Sequence, residues 1–374
     1  MSSKSSRISK KILYGLLLFL FTLCIAEVLL RIYNPFPSSV VGDKIVLTPN
    51  YSKVFRNAIL NQGMDSMIVY KRNSIGLRGE EPPVPFSGAL SIVAIGGSTT
   101  ECMFISEGKT WEDVLAQKLR MNFPEAWVNN AGFSGHSTFA HIVLLRDYVV
   151  ALKPRICLFM VGANDLGRTD LRANDEEFSL TKQKWLLTLA RRSKLANAIL
   201  SVYRNHLAKE KSVADNYAFS LMKNVPLQLD DSTIQKAVDA ESLLVNEYGS
   251  RLKKLIQLCR QNNIEPVFIT QPSLVGEGID SLTSVNLATY RLNDTTNGKQ
   301  YWKRLELYNN ETVQVATASN VFVIDLAHQL PKQSIYFYDM SHFNIPGCAT
   351  VAELIASKLK PFLKERYPSF QTTK

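Results

Sequence analysis

Cysteine is scarce in this sequence of 374 residues. The five cysteines are scattered and form none of the close pairs that a zinc site requires; they are Cys24, Cys102, Cys157, Cys259 and Cys348. So few cysteines exclude a small scaffold held by disulfides, although one or two disulfides stay open for an oxidising compartment. Because 46% of the residues are hydrophobic and 20% are charged, we expect an ordinary buried core instead.

Motifs for nucleotide and nucleic-acid binding are also absent from the sequence. Gly96 and Gly97 are adjacent and do not form the G-x-G-x-x-G pattern of a dinucleotide-binding loop, and the chain has no G-K-[ST] of a P-loop. Thr100 stands where the G-x-S-x-G elbow of α/β-hydrolases has its last glycine. The net charge of +10 comes without a recognition-helix, zinc or aromatic-platform pattern, so neither a nucleic-acid partner nor a metal is expected.

A long hydrophobic run stands near the amino end. Residues 12–30 carry a single charge, Glu27, and about 20 apolar residues at 1.5 Å each cross a hydrocarbon core. Four basic residues precede the run: Lys4, Arg7, Lys10 and Lys11. The pattern predicts a transmembrane anchor within residues 1–33, a cytoplasmic amino terminus and an extracytoplasmic remainder, periplasmic or extracellular. A cleaved signal peptide is the alternative, with CIA before Glu27 as the cleavage site.

The rest of the chain predicts an α/β domain. Residues 34–90, rich in Pro, Ser and Asn, are interpreted as a linker and lead-in, with Arg78 in a surface ion pair. From residue 91 apolar strands alternate with amphipathic helices. The predicted strands are residues 91–96, 126–132, 155–162, 265–271 and 320–326. Near-continuous apolar strands favour a parallel five-stranded sheet covered on both faces, in three layers, α/β/α.

Two insertions interrupt this domain, which we place at residues 91–368. The first covers residues 166–233 and the second residues 273–318. Within the first, residues 180–211 contain eight basic residues and one acidic residue beside an apolar side. A basic amphipathic helix either packs on its own domain with a solvated basic face or lies on an anionic membrane or polymer. We favour the first interpretation.

Polar residues cluster at the expected carboxyl edge of the sheet. Right-handed crossovers bring the carboxyl ends of parallel strands to one edge, where ligands bind. Four stretches are expected there: GGST (96–99), NNAGFSGHST (129–138), VGAND (161–165) and YDMSHFN (338–344). This convergence predicts a functional site built from residues that are distant in the chain.

These stretches contain the parts of a nucleophilic site. Ser98 needs a base and a group that orients the base, and Asp339 and His342 supply both within one turn. Gly135, through its N–H, and Asn164, through its amide, are candidate donors to an oxyanion. Taken singly, Ser98 and Asp339 are equally explained as helix caps, His342 as a structural histidine and Asn164 as a turn residue. Their joint occurrence favours catalysis. Asp165 is interpreted as structural, and His136 and His141 are left out of the site.

The four stretches resemble the blocks of the SGNH (GDSL-type) hydrolase family, which supply Ser, Gly, Asn and His in that chain order. By this resemblance Ser98 is the nucleophile, Asp339 and His342 complete its triad, and Gly135 and Asn164 line the oxyanion hole with the Ser98 N–H. The family implies a flavodoxin-like α/β/α sheet and no cofactor. One departure is Gly97, which stands where the family name has aspartate.

The sequence therefore predicts a membrane-anchored serine esterase or deacylase acting on O-acetyl or short acyl esters. Its partner would be an ester or acylated carbohydrate. Two alternatives remain open: an O-acyltransferase that modifies a cell-envelope polysaccharide, and a catalytically silent glycan-binding protein on the same fold.

Overall fold

The structure is a computed structural model that describes residues 2–33, 40–41, 44–45, 47–57, 63–169, 184–210 and 225–372. Much of the first predicted insertion, residues 170–183 and 211–224, lies outside the described residues. The chain divides into two compact units. The smaller unit combines Met1–Thr48 with Glu176–Ala214, and the larger combines Pro49–Asp175 with Asp215–Lys374.

The larger unit is built on a parallel sheet. The strands of this unit are β1 (Ser52–Arg56), β2 (Met67–Lys71), β3 (Leu90–Gly96), β4 (Ala126–Asn130), β5 (Ile156–Met160), β6 (Glu265–Ile269) and β7 (Phe322–Ile324). β1 and β2 form an antiparallel pair, and the other five form one parallel sheet in the order β4-β3-β5-β6-β7. All five predicted strands are confirmed. The last is shorter than predicted because Leu326 already begins a helix.

Among the described residues, α-helices of four or more residues occur in both units. They are α1 (Ser2–Ile32), α2 (Ser98–Glu101), α3 (Trp111–Arg120), α4 (Thr138–Leu144), α5 (Lys184–Arg192), α6 (Lys194–Glu210), α7 (Asp231–Asp239), α8 (Ser242–Gln261), α9 (Gly298–Ala318), α10 (Leu326–Gln329) and α11 (Ile345–Arg366). The predicted cap of α3 is confirmed, because the Thr110 side chain accepts a hydrogen bond from the Asp113 N–H. Pro346 stands in the first turn of α11, as predicted.

Both faces of the sheet are covered by helices. α3 and α11 pack against each other, and Trp111 and Ile355 from them share a buried cluster with Ile92 and Leu158 of the sheet. Side chains alternate along a strand, so Cys157 points away from that cluster. Cys259 of α8 interacts with Cys157, which places α8 on the opposite face. The predicted three layers are therefore confirmed.

The cysteines of the larger unit are free thiols in two buried pairs. A hydrogen bond with Cys348, followed by burial, raises the pKa of Cys102. Burial, followed by interaction with Cys259, raises the pKa of Cys157. Any disulfide formed in an oxidising compartment would therefore join the two thiols of one pair.

The strand order places a switch point beside β3. The chain passes from β3 to its neighbour β4 on one side and later returns to β5 on the other side. In open α/β sheets such a reversal opens a crevice at the carboxyl ends of the strands. β3 ends at Gly96, so Ser98 lies at that crevice.

The segment expected to be a linker contributes structure to the larger unit. Residues 52–56 and 67–71 form the β1–β2 pair, and Arg78, further on, is only 2% exposed. The guanidinium of Arg78 donates to the carbonyl oxygens of Cys102 and Ile105, both at 2.9 Å, and pairs with Glu107. The interpretation of Arg78 as part of a surface ion pair is therefore wrong. Arg78 binds the backbone at and after the end of α2, the helix that begins with Ser98.

Replacing Arg78 with alanine is expected to lower the free energy of unfolding by about 3–5 kcal/mol, because the buried partners of its charge lose their donor. Chemical denaturation of the full chain in detergent measures the loss. Lys118→Ala is the matched control, since Lys118 forms an exposed pair with Glu353 and is expected to contribute about 0–1 kcal/mol. Equal small losses for the two variants would contradict the role given to Arg78.

Candidate active site

Ser98 stands where β3 passes into a helix. β3 is buried along its whole length, Gly97 is the cap residue, and Ser98 is the first residue of α2. Its neighbour Thr99 is fixed on both sides: the Thr99 hydroxyl donates to Gln271 at 3.0 Å, and its carbonyl accepts from Trp111 at 3.2 Å. A buried strand and a bonded neighbour thus hold the Ser98 hydroxyl at the edge of the sheet.

Ser98, His342 and Asp339 form a hydrogen-bonded chain. Ser98 Oγ lies 2.6 Å from His342 Nε2, and His342 Nδ1 lies 2.6 Å from Asp339 Oδ2. Tyr338 stacks on the imidazole, with ring centroids 5.4 Å apart. This geometry allows an imidazole to take the proton of a hydroxyl while a carboxylate orients the ring.

The Asp339 carboxylate is held by the backbone as well. Its Oδ1 accepts hydrogen bonds from the N–H groups of Ser341 and His342, both at 2.8 Å. Burial acts to raise the pKa of Asp339, but the charge of His342, its hydrogen bond and the two backbone N–H groups together hold that pKa below its usual value. Asp339 is therefore ionised at neutral pH and accepts a hydrogen bond from the N–H at Nδ1 of His342. This leaves Nε2 of the imidazole to face Ser98.

Asn164 approaches the Ser98 loop very closely. Its Nδ2 donates to the carbonyl of His136 at 2.9 Å. A Cβ atom added at Gly97 would lie 2.3 Å from that Nδ2, a distance that no side chain tolerates. Glycine at position 97, where the family name has aspartate, therefore leaves room for the Asn164 amide.

Gly135 lies in the loop that faces Asn164. Its φ is +80°, a left-handed conformation that favours glycine. The Gly135 carbonyl accepts a hydrogen bond from Arg168 at 3.2 Å, and the next residue, His136, lines the pocket around Ser98. Because Asn164 bonds to His136, the second and third stretches are joined beside Ser98.

Asp165 strengthens the same junction. It is 1% exposed, accepts the Thr138 N–H at 3.1 Å and pairs with Arg251 at 3.3 Å. Thr138 begins α4, so the carboxylate binds the loop after β5 to the helix after β4. These contacts agree with the structural role interpreted for Asp165.

A cavity of about 110 Å³ opens at Ser98. Among the predicted site residues, Ser98, Asn164 and His342 line it. The sequence interpretation missed four further lining residues: His136, His141, Gln271 and Tyr301. His136 is adjacent to Gly135 and Gln271 ends a predicted strand, so position along the edge could have indicated both. Tyr301 comes from α9 in the second insertion, for which the sequence carried no signal.

His141 is a neutral imidazole in the wall of this cavity. Burial and the charge of His136 lower the pKa of His141 to about 3, against an opposing effect of the Gly96 backbone. Neither of its ring nitrogens has a side-chain or backbone partner of ordinary geometry among the described residues. His141 is therefore a buried, neutral imidazole beside the Ser98 pocket.

Glu101 links the β1–β2 pair to the loop that contains Gly135. Its Oε1 accepts the hydroxyl of Tyr70 at 3.1 Å, and its Oε2 accepts the N–H of Ser134 at 2.8 Å. Glu101 is 7% exposed and is the last residue of α2. One buried carboxylate thus joins the lead-in segment, the Ser98 helix and the second stretch.

Within the described ranges, no group of three or more His, Cys, Asp or Glu side chains is arranged to hold a metal ion.

The model of the GDSL-like Lipase/Acylhydrolase family matches residues 94–349. The chain belongs to this family, and it is an ester-hydrolysing enzyme by class. The matched range contains all five of the predicted site residues.

Comparison with solved structures finds similar chains at low sequence identity. LAE5, an alpha/beta hydrolase enzyme from the metagenome of Lake Arreo, is 14% identical over 73% of this chain and 96% of its own, with a TM-score of 0.41. An acetylxylan esterase from Geobacillus stearothermophilus is 15% identical over 77% of this chain and 99% of its own, with a TM-score of 0.40. No curated protein matches the sequence.

Gly97→Ala is expected to lower kcat for p-nitrophenyl acetate by about tenfold or more, because the new methyl group displaces the Asn164 amide from the pocket. Steady-state kinetics on the purified protein measures the change, with the melting temperature recorded beside it. Gly88→Ala is the control, since a Cβ there meets its nearest atom at an ordinary 3.8 Å. A Gly97→Ala enzyme with full activity would refute the close-approach requirement.

Proposed function

We propose that this protein is a membrane-anchored serine esterase that removes acetyl or other short acyl groups from esters. The observation that carries the proposal is the Ser98–His342–Asp339 chain, with two contacts of 2.6 Å. Membership of an acylhydrolase family supports the reaction class. The proposed roles of the five residues follow from this geometry.

Ser98 Oγ attacks the ester carbonyl carbon while its proton passes to Nε2 of His342. The tetrahedral intermediate collapses when His342 gives that proton to the departing alcohol oxygen, which leaves an acyl group on Ser98. Water then attacks the acyl carbon and gives its proton to His342, which returns it to Ser98 as the carboxylic acid departs. Asp339 stays ionised throughout and stabilises the imidazolium.

Negative charge on the carbonyl oxygen is stabilised by three donors. They are the N–H groups of Ser98 and Gly135 and the side-chain amide of Asn164. The bond from Asn164 to the His136 carbonyl uses one amide hydrogen and orients the other. Since Gly97 leaves the amide close to Ser98, the donor is positioned before the substrate binds.

The size of the cavity supports a short acyl group. Its volume is only about 110 Å³. Polar side chains, among them Asn164 and Gln271, contribute to its wall. An acetylated polyol or sugar fits this combination of a small volume and a polar wall.

The membrane assignment rests on α1. Residues Lys11–Ile32 have a mean hydropathy of 2.4, and their length is sufficient to cross a bilayer. The basic residues before the apolar run favour a cytoplasmic amino terminus with the larger unit outside the cytoplasm.

Ser98→Ala is expected to abolish hydrolysis of p-nitrophenyl acetate, and Asn164→Ala to reduce kcat by about 10²–10³, the cost of one oxyanion donor. A serine-directed fluorophosphonate probe should label the unmodified protein and Ser357→Ala, a surface variant on α11, but not Ser98→Ala. Labelling of Ser98→Ala would remove Ser98 from the mechanism. Failure to label any form would favour the catalytically silent alternative. Formation of acylated sugar in place of free acid, when a sugar is added as acceptor, would favour acyl transfer.

Activity is expected to fall steeply as the acyl chain lengthens, because the cavity has no room for a long chain. Comparing kcat/KM for p-nitrophenyl acetate, butyrate and octanoate measures this. We expect octanoate to be poorer than acetate by at least tenfold, equivalent to about 1.4 kcal/mol. Equal values for acetate and octanoate would contradict a short-acyl specificity.

A further inference from the structure

The smaller unit contains an acidic side chain within an apolar helix, and its carboxylate is fully used. Glu27 Oε1 accepts hydrogen bonds from Arg31 Nε at 2.8 Å and from the Lys194 N–H at 3.0 Å. Its Oε2 accepts the Ser193 hydroxyl at 2.8 Å and the Leu195 N–H at 2.9 Å. Because α6 begins at Lys194, Glu27 caps the otherwise unsatisfied N–H groups of that helix.

The same end of α1 also holds α5. Arg31 Nη2 donates to the carbonyl of Arg192, the last residue of α5, at 2.9 Å. α5 and α6 pack against each other, and Ala190 and Leu200 form a small buried cluster of their own. The two helices therefore form a hairpin that turns at Ser193 and is bonded to α1.

This α5–α6 hairpin lies beside the apolar part of α1. α6 packs against α1, and within residues 11–32 one face of α1 is partly covered while the other side chains are exposed. The covered side chains are Leu23, Ala26, Glu27 and Leu30, and the spacing of i, i+3, i+4 and i+7 is that of one helix face. Leu23 lies nine residues before Ile32, or about 13 Å at 1.5 Å per residue. The contact thus extends well into the candidate span.

α6 carries an exposed apolar face at this depth. Ile199, Val202 and Tyr203 are 62%, 60% and 49% exposed, and their spacing of three and four residues places them on one side of the helix. In water these side chains would extend the exposed apolar surface of α1, an arrangement that soluble surfaces avoid. At the turn of the hairpin the exposed side chains are basic instead: Arg191, Arg192 and Lys194.

We propose that the α5–α6 hairpin is a second membrane-contacting element, seated in the leaflet where α1 ends. Ile199, Val202 and Tyr203 face the acyl chains, and Arg191, Arg192 and Lys194 reach the anionic headgroups. This inference rests on the proposal that α1 spans the bilayer, because the depth of the hairpin is set by its bonds to α1. It replaces the sequence interpretation in which the basic helix packs on its own domain.

Charge and polarity agree with this placement. Glu27 in an apolar span would be costly if it faced lipid alone, and the helix amino terminus and Arg31 satisfy it. Basic side chains at an interfacial helix are attracted to anionic lipid headgroups, and long side chains extend toward the headgroups while their stems stay apolar. Apolar anchors below a basic turn are the arrangement expected of a helix at the interface.

Spin labels on the full chain test the inference. In a Cys24→Ser background the four remaining cysteines are buried, so labels attach to Ile199→Cys or Val202→Cys. The proteins are reconstituted into vesicles of phosphatidylcholine and phosphatidylglycerol. Accessibility to oxygen, which partitions into lipid, is compared with accessibility to a water-soluble nickel complex. Leu18→Cys in the centre of α1 is the lipid reference, and Met121→Cys on the larger unit is the aqueous reference.

We expect the oxygen-to-nickel ratio at positions 199 and 202 to exceed the Met121→Cys value severalfold and to approach the Leu18→Cys value. Ratios equal to that of Met121→Cys would overturn the inference while leaving the anchor intact, provided that Leu18→Cys reports lipid. Labels shielded from both reagents would also overturn it, because a protein surface, such as a second copy of this chain, would then cover the face. An aqueous ratio at Leu18→Cys would instead refute the anchor.

The role of Glu27 is tested with the Ile199→Cys label in place. Glu27→Leu removes the acceptors of the Lys194 and Leu195 N–H groups at the start of α6, so the label should become more mobile and its oxygen preference should fall. Glu27→Gln keeps one acceptor oxygen and should have a smaller effect. Unchanged spectra in Glu27→Leu would overturn the claim that the cap positions the hairpin.

Discussion

The candidate site depends on one hydrogen bond between residues that are distant in the chain. Ser98 Oγ and His342 Nε2 lie 2.6 Å apart although 244 positions separate them. β3 positions Ser98, and the segment before α11 positions His342. β3, α3 and α11 share one buried cluster, so the packing of α11 on the sheet sets the distance between hydroxyl and imidazole. A core substitution that shifts α11 would therefore alter the site without changing either residue.

The loops around Ser98 are held by buried polar contacts rather than by regular structure. Asp165 binds the start of α4, and Glu101 joins α2 to Ser134 and to Tyr70 of β2. The guanidinium of Arg78 donates hydrogen bonds to the backbone carbonyl oxygens of Cys102 and Ile105, just beyond α2. Leaving any of these buried polar groups unpaired would be costly. Each contact therefore restrains the loops beside it. The β1–β2 pair and the residues after it thus contribute to the positions of Ser98 and Gly135.

In the smaller unit, a single carboxylate connects α1 to the insertion. Glu27 is the one charge in an apolar run, and four donors satisfy it. The same group that weakens α1 as a purely apolar span therefore gives the α5–α6 hairpin a defined start. An ionisable residue inside a candidate span is in this way explained by a partner from a different part of the chain.

Local patterns in the sequence determined the five parallel strands, the cap at Thr110, the first-turn proline of α11 and the apolar run of α1. They also determined the stretches that contain Ser98, Asn164, Asp339 and His342. Such features depend on residues close together in the chain, where periodicity and spacing carry the information. Only the tertiary structure decided that Arg78 is buried, that His141 and Tyr301 line the Ser98 pocket, that Gly97 makes room for Asn164 and that Glu27 caps α6. Each of these depends on contacts between distant segments, whose partners no local pattern specifies.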